Sequence, residues 1–173
     1  MSEYGERTGQ GSVRFERLLP GPIERVWEYL TDSKLRASWF AGGTLEQHVG
    51  GKVHFTFRHS QIAAPGETVP ERHAGSEGHE LNGRVTRCEP PRALAYTWDE
   101  SEVSFELAPR DGQVLLVLTH VKLAGRKEVV DVSAGWHTHL DVLADRLRGV
   151  TPQRFWAAVE ERESEYEKRT PKD

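Results

Sequence analysis

The chain has 173 residues, enough for one domain with a packed core, and its net charge of -4 gives no basic field for nucleic acid. It contains no apolar run near the roughly 20 residues that span a bilayer, and its polar first residues lack the apolar core of a signal peptide. A single cysteine, Cys88, excludes an intrachain disulfide and a cysteine metal cage, so we expect a cytoplasmic protein.

The N-terminal part of the chain predicts a tail, one strand and two short helices. Residues 1–11 are polar and glycine-rich, which is typical of a flexible tail. Apolar residues alternate from Val13 to Leu19, as in a half-buried strand that ends at Pro20-Gly21-Pro22. Apolar residues at helical spacing then predict a first helix, and Asp32 is placed to cap a second helix that runs through Ser38.

About six strands are expected after Gly43, where the spacing of the apolar residues changes to two. Apolar residues alternate over residues 53–57, 81–85, 94–98 and 103–107, and residues 114–121 are apolar on both faces, as expected of a central strand. Short turns such as Asp111-Gly112 connect them, which indicates an antiparallel and strongly curved sheet. One connection, from His59 to Gly78, is too long for a hairpin turn. Such a segment is either disordered or a functional flap, and its polar composition favours disorder.

A long helix is predicted from Glu128 to Leu147, and a sheet is its natural burial partner. Its apolar residues recur every three or four positions, at Val129, Val132, Trp136, Leu140, Leu143 and Leu147. His137 and His139 lie mostly off this stripe, so we expect one buried face and one hydrated face. Residues 150–173 follow as a charged helical extension that begins at Thr151-Pro152. This extension could pack back on the domain, join a partner or fray.

The order of these elements and several local motifs together resemble a known superfamily. The motifs are Val26-Trp27-Glu28-Tyr29-Leu30-Thr31-Asp32, Trp39-Phe40, Gly50-Gly51, Gly83-Arg84-Val85, Glu89-Pro90-Pro91-Arg92-Ala93-Leu94, Tyr96-Thr97-Trp98, Leu118-Thr119-His120 and Gly135-Trp136. They resemble the SRPBCC (START-like) superfamily, which includes birch-pollen-allergen-like proteins, and within it the Aha-type homologues of the activator of heat-shock-protein-90 ATPase. The resemblance implies an α+β helix-grip fold over residues 12–149. In that fold a curved antiparallel sheet wraps around a long C-terminal helix, and two short helices follow the first strand.

The resemblance also implies a cavity between the sheet and the long helix, where members of the superfamily hold apolar or amphipathic ligands. Strand parity and the helix stripe place twelve candidate ligand-binding residues around this space. They are Phe55, Phe57, Tyr96, Trp98, Phe105, Leu107, Leu116, Leu118, His120, Trp136, Leu140 and Leu143. The alternative is that these side chains fill a closed core.

The free-energy cost of an empty cavity helps to decide between an open cavity and a closed core. At about 24 cal/mol per Å³, an empty pocket of about 300 Å³ would cost on the order of 7 kcal/mol. That cost rivals the stability of a whole domain, about 5–15 kcal/mol. We therefore expect any large pocket here to be narrowed by aromatic side chains, hydrated or filled by a ligand.

Two polar residues are predicted to face the same space. His120 continues the inward parity of its strand, so it is either a neutral, hydrogen-bonded core residue or a polar anchor for a ligand oxygen. A role as general acid or base is a further alternative, and Tyr96 could supply a second polar contact. No cofactor is predicted. A metal site is not expected either, since His137 and His139 lie about 200° apart around a helix axis.

Three functions remain open at this point. The first is binding of a small hydrophobic or amphipathic molecule in the cavity, without catalysis. The second, which the resemblance implies, is a co-chaperone that stimulates a chaperone ATPase through protein–protein contact. The third is an enzyme, a cyclase or hydrolase that uses the same cavity, although the chain shows no nucleophile elbow, phosphate-binding loop or Cys–His pairing. A homodimer is compatible with each of them.

Overall fold

The structure is a computed structural model that describes residues 2–172 and contains eight β-strands and four α-helices, which follow the predicted order from the second strand onward. The strands are β1 (Glu6–Gly9), β2 (Ser12–Pro20), β3 (Gly42–Leu45), β4 (Lys52–Thr56), β5 (Glu80–Glu89), β6 (Ala93–Trp98), β7 (Ser101–Arg110) and β8 (Gln113–Val121). The helices are α1 (Ile23–Thr31), α2 (Ser33–Ala37), α3 (Arg126–Arg148) and α4 (Phe155–Arg169). Residues 1 and 173, the outer ends of the predicted tail and extension, lie outside the described residues.

The strands form one antiparallel sheet in the order β1-β2-β8-β7-β6-β5-β4-β3. Short turns connect β5 to β6, β6 to β7 and β7 to β8, and in the last of them Asp111 and Gly112 both adopt the positive φ that a two-residue hairpin turn requires. A register shift between Val85 and Arg87 in β5 is a bulge, which increases the bend of the sheet. The sheet curves around α3, so the predicted α+β helix-grip fold is confirmed.

Local sequence features explain where the predicted helices begin and end. The Asp32 side chain accepts a hydrogen bond from the Leu35 N–H at 3.0 Å, as expected for the cap of the second short helix. Helix α3 ends at Gly149, whose φ of 71° is the left-handed conformation that suits a helix end. The apolar stripe of α3, represented by Trp136 and Leu140, is buried against the sheet. No helix within residues 2–172 has both the length and the apolar character needed to cross a membrane.

The expected hydrated face of α3 is instead buried. His137 and His139 are 0% and 6% exposed. The cause is α4, which packs back across this face with Phe155, Trp156 and Tyr166 buried. The extension therefore packs on the domain itself, and its helix begins at Phe155 rather than at the predicted Thr151-Pro152.

Two segments without predicted structure are also placed by tertiary contacts. Within the tail predicted as flexible, Glu6–Gly9 forms β1, because it can pair with the otherwise open edge of β2. The segment from His59 to Gly78, for which composition favoured disorder, contains two short 3-10 turns, His59–Gln61 and Glu71–His73. We call residues 57–79 the flap. Contacts with α4, which periodicity along the chain cannot reveal, hold the flap in place.

The hydroxyl of Tyr166 links the N-terminal segment to α3, and this predicts the effect of removing it. The hydroxyl oxygen accepts the Gly5 N–H at 2.8 Å and lies 2.8 Å from Nδ1 of His137. Tyr166→Phe would leave both groups without a partner, so we expect a loss of about 1–3 kcal/mol in the free energy of unfolding. Urea unfolding measures this loss.

Tyr29→Phe is the matched control, because within residues 2–172 Tyr29 is hydrogen-bonded to a side chain through its carbonyl oxygen, which accepts the Trp39 indole N–H and is kept in the variant. Its stability should change by less than about 0.5 kcal/mol. Equal effects of the two substitutions would contradict the bridging role of Tyr166.

Candidate functional site

Aromatic side chains fill most of the space between the sheet and α3. The Trp136 ring stacks on Phe40 at a centroid distance of 4.9 Å and meets the rings of Trp98 and Phe105 edge-on at 5.7 and 5.8 Å. Nine of the twelve candidate ligand residues lie in this packed core and do not line the pocket described next. They are Phe55, Tyr96, Phe105, Leu107, Leu116, Leu118, His120, Leu140 and Leu143.

A mainly apolar pocket of about 260 Å³ remains where the sheet, α3 and the flap meet. It opens to solvent at one side. Its lining residues are Phe40, Phe57, His59, Ser76, His79, Trp98, Asp131, Val132, Gly135, Trp136 and His139. Three of them, Phe57, Trp98 and Trp136, were candidates from the sequence. The periodicity of α3 could have indicated three more, since Asp131, Gly135 and His139 are four residues apart and share one helix face.

Gly135 forms part of the pocket wall in the middle of α3. A Cβ atom added to this glycine would meet no other atom within 4 Å. A glycine inside a helix destabilises it by roughly 0.5–1 kcal/mol relative to alanine. The absence of a side chain here therefore keeps space open beside the helix at a cost in stability.

His139 presents a hydrogen-bond acceptor to this pocket. Its Nδ1 lies 2.7 Å from the carbonyl oxygen of Trp39, and because a carbonyl only accepts, Nδ1 must carry the proton. Burial lowers the pKa of His139 to about 3, so the ring is neutral at physiological pH and Nε2 holds a lone pair. Nε2 is accessible and has no hydrogen-bond partner within residues 2–172, and the pocket is the space that His139 lines.

His59 faces the pocket from the flap. Its ring stacks on Phe155 at 5.3 Å and on Phe57 at 5.7 Å, and burial lowers its pKa to about 4. Its Nδ1 is buried without a partner among the described residues, whereas Nε2 is accessible. A buried N–H without a partner is rarer than a buried acceptor without one, so we assign the proton to Nε2. His59 then offers a donor where His139 offers an acceptor.

His120, the polar anchor expected from the sequence, lies deeper in the core. Its Nδ1 accepts the Trp136 indole N–H at 2.9 Å, which leaves Nε2 with the proton, 2.7 Å from the Ser101 hydroxyl oxygen. That hydroxyl donates in turn to the carbonyl of Trp98 at 2.7 Å. Both ring nitrogens are engaged, so this geometry gives no support to a ligand-anchoring or proton-transfer role. Tyr96 is also buried and lies outside the pocket lining.

Contacts between the flap and α4 hold the outer wall of the pocket. Oε1 of Glu67 accepts the backbone N–H of Trp156 at 3.0 Å, and Oε2 lies 3.4 Å from Nε of Arg154. Nε2 of His73 lies 2.6 Å from Oε1 of Glu163. Glu67 thus supplies the cap that α4 lacks, since Arg154 at the N-cap position makes no side-chain cap bond.

The histidines around the pocket are not arranged as metal ligands. Within residues 2–172, no three His, Cys, Asp or Glu side chains are close enough together to hold a metal ion. Asp131, the carboxylate of the pocket lining, is paired with Lys127 at 2.6 Å. The buried polar side chains of the pocket lining are the imidazoles of His59 and His139.

Comparison with known proteins gives a family and a fold. Residues 20–148 match the family model described as "Activator of Hsp90 ATPase homolog 1-like protein". A protein from Bordetella parapertussis, solved by NMR, is 45% identical, with 98% of this chain and 91% of that chain covered and a TM-score of 0.82. CalU16 from Micromonospora echinospora is 25% identical over 91% of this chain and 86% of its own, with a TM-score of 0.64.

A more distant likeness extends to the fold alone. A conserved protein from Enterococcus faecalis is 19% identical over 95% of this chain and 88% of its own, with a TM-score of 0.65. None of the curated proteins matches the chain.

The Glu67 cap predicts a local stability effect. Glu67→Ala removes the acceptor for the Trp156 N–H at the start of α4, and loss of a helix cap costs about 0.5–2 kcal/mol. We expect a lower free energy of unfolding and faster amide exchange in the first turn of α4 and in the flap. Glu161→Ala is the control, because the Glu161 side chain on the same helix is 74% exposed. Identical exchange in the two variants would show that Glu67 does not hold the wall.

Because four histidine side chains are buried, we predict that the free energy of unfolding falls in mild acid. Burial lowers the pKa of His59 and His120 to about 4 and the pKa of His137 and His139 to about 3. The unfolded chain, with histidine pKa values near 6.5, then binds more protons than the folded chain. Their contribution to stability is therefore complete above about pH 6.5 and is lost progressively as the pH falls below it.

The number of protons taken up on unfolding can be measured from urea unfolding at several pH values between about 7 and 5. Each proton adds a slope of up to about 1.36 kcal/mol per pH unit. His137→Asn should lower the slope by about one proton. A wild-type stability that is flat over this range would contradict neutral burial of the four rings.

Proposed function

The chain belongs to the activator of Hsp90 ATPase homolog 1-like family, and we propose that it binds a small, planar, largely apolar molecule in the pocket between the sheet, α3 and the flap. Family membership confirms the superfamily resemblance drawn from the motifs. It supports a domain of the ligand-binding type, while the ligand itself is the subject of this proposal. Gly135 carries the argument, because it keeps the wall of an aromatic pocket open at a cost to its helix.

The size and walls of the pocket support a small, flat ligand. The volume of about 260 Å³ corresponds to the share of roughly nine water molecules in the liquid and lies near the lower end for ligand sites. Aromatic rings of Phe40, Phe57, Trp98 and Trp136 supply most of the walls. A planar ring system would gain both apolar burial and favourable stacked or edge-on contacts there.

The lowered pKa values of His59 and His139 favour binding over acid–base catalysis by these two rings. A general base is most effective when its pKa lies near the working pH. Burial holds the pKa of His59 at about 4 and that of His139 at about 3, so both rings are weak bases under physiological conditions. They serve better as neutral hydrogen-bonding groups, which is the role that a ligand site needs.

The family description favours a second candidate function, stimulation of a heat-shock-protein-90 ATPase by protein–protein contact. Large exposed apolar side chains within residues 2–172 are Val49, Val69 and Val150, which are single residues in separate loops. Such an interaction would therefore rely on polar contacts. It would not depend on open space beside Gly135.

Substitution of Gly135 separates these functions. Gly135→Leu would place a side chain in the open space, so we expect binding of naphthalene, measured by isothermal titration calorimetry, to weaken at least about tenfold. Gly135→Ala is the matched control. It should keep most of the affinity and raise the free energy of unfolding by about 0.5–1 kcal/mol.

Two results would contradict the proposal. One is wild-type protein that does not bind naphthalene, and the other is Gly135→Leu protein that is folded and binds as tightly as the wild type. Stimulation of a chaperone ATPase that is equal in all three proteins would favour the second candidate.

A further inference from the structure

We propose that the ligand of this pocket carries a hydroxyl group on an aromatic framework, and that His139 and His59 recognise this hydroxyl from two sides. The inference rests on the proposed function, because it names the chemistry of the molecule that the same pocket binds. It depends on the hydrogen-bonding state of two rings, which the surrounding structure determines.

A main-chain carbonyl determines that His139 is the hydrogen-bond acceptor of the site. The Trp39 carbonyl holds the proton of His139 on Nδ1, so Nε2 can only accept a hydrogen bond. Phe40 meets the His139 ring edge-on at a centroid distance of 5.2 Å and Phe155 packs on it at 5.1 Å, which fixes the ring. A ligand that covers Nε2 without donating to it would leave a buried acceptor unpaired.

The donor side comes from the flap. His59 has a buried Nδ1 and an accessible Nε2, and its stacking on Phe57 and Phe155 orients the ring. The centroids of the His59 and His139 rings are 5.7 Å apart. The two rings are therefore neighbours in the pocket, and the proposal places one ligand oxygen between their Nε2 atoms, at a hydrogen-bond distance of about 2.8 Å from each. A hydroxyl oxygen donates once and accepts as well, so it matches both rings.

Other polar groups fit this pair less well. A carboxylate cannot donate to His139, and it would enter a mainly apolar pocket whose lining already includes the carboxylate of Asp131. A ketone or ether accepts from His59 but leaves Nε2 of His139 unpaired. An ammonium group donates, but it cannot accept from His59 and would lose its hydration among aromatic walls.

Three matched probes test the inference on the intact chain. Naphthalene has no polar group, 2-methoxynaphthalene only accepts, and 2-naphthol both donates and accepts. We expect 2-naphthol to bind about tenfold more tightly than 2-methoxynaphthalene, because the latter buries Nε2 of His139 without a donor. Isothermal titration calorimetry gives the three dissociation constants under one set of conditions.

Substitutions then assign the preference to particular rings. His139→Asn keeps an amide donor for the Trp39 carbonyl but has no group in the place of Nε2, so the preference for 2-naphthol should fall to about twofold or less. His59→Phe keeps the stacking and removes the donor, so the preference should also fall. His48→Asn is the control, because His48 is exposed and does not line the pocket, and it should leave the preference unchanged.

The outcomes distinguish this inference from the function on which it rests. If wild-type protein binds naphthalene and 2-methoxynaphthalene as tightly as 2-naphthol, the hydroxyl inference is overturned and the proposed function stands. The same holds if His139→Asn is folded and retains the full preference. If wild-type protein binds none of the three probes, both are overturned. The comparison of probes on wild-type protein decides the matter even where a substituted chain does not fold.

Discussion

The burial of α3 on both faces is the constraint on which the rest of this structure depends. The sheet covers one face, while α4 and the flap cover the other, so His137 and His139 are buried in a helix whose sequence predicts a hydrated face there. A buried imidazole must be neutral or paired, and burial keeps the pKa of both rings far below the ordinary value. Each ring therefore has a hydrogen-bonding pattern that its neighbours determine.

The same burial explains why the space under α3 is small. A closed and empty cavity of about 260 Å³ would cost on the order of 6 kcal/mol, a large fraction of the stability of a domain. Aromatic packing around Trp136 fills the inner part of the space, and the remaining part opens to solvent, so water can occupy it. Beside Gly135 the core is not completely filled by side chains.

Local periodicity predicts this fold well because each strand and each apolar stripe is a property of contiguous residues. The parity of the strands places Phe57 and Trp98 on the inner face, and the stripe of α3 places Trp136 there. Parity indicates that a side chain points inward but not whether another side chain covers it. The sequence could therefore not separate these three pocket residues from the nine that fill the core.

The hydrogen-bonding roles of His139 and His59 were beyond prediction for a related reason. The role of His139 depends on the Trp39 carbonyl, which is one hundred positions away in the chain, and the role of His59 depends on a flap that α4 holds in place. The spacing of residues along the chain does not indicate contacts between such distant positions. His120 was the histidine that parity could identify, and its neighbours engage both of its nitrogens.

The most direct test of this account is a two-bond ¹H–¹⁵N correlation spectrum of the histidine rings in the intact chain, recorded with and without 2-naphthol. The account predicts that His139 carries its proton on Nδ1 and His120 on Nε2. It also predicts that the ligand shifts the Nε2 resonance of His139 and leaves that of His120 in place. A proton on Nε2 of His139, or a ligand-induced shift at His120 with none at His139, would contradict it.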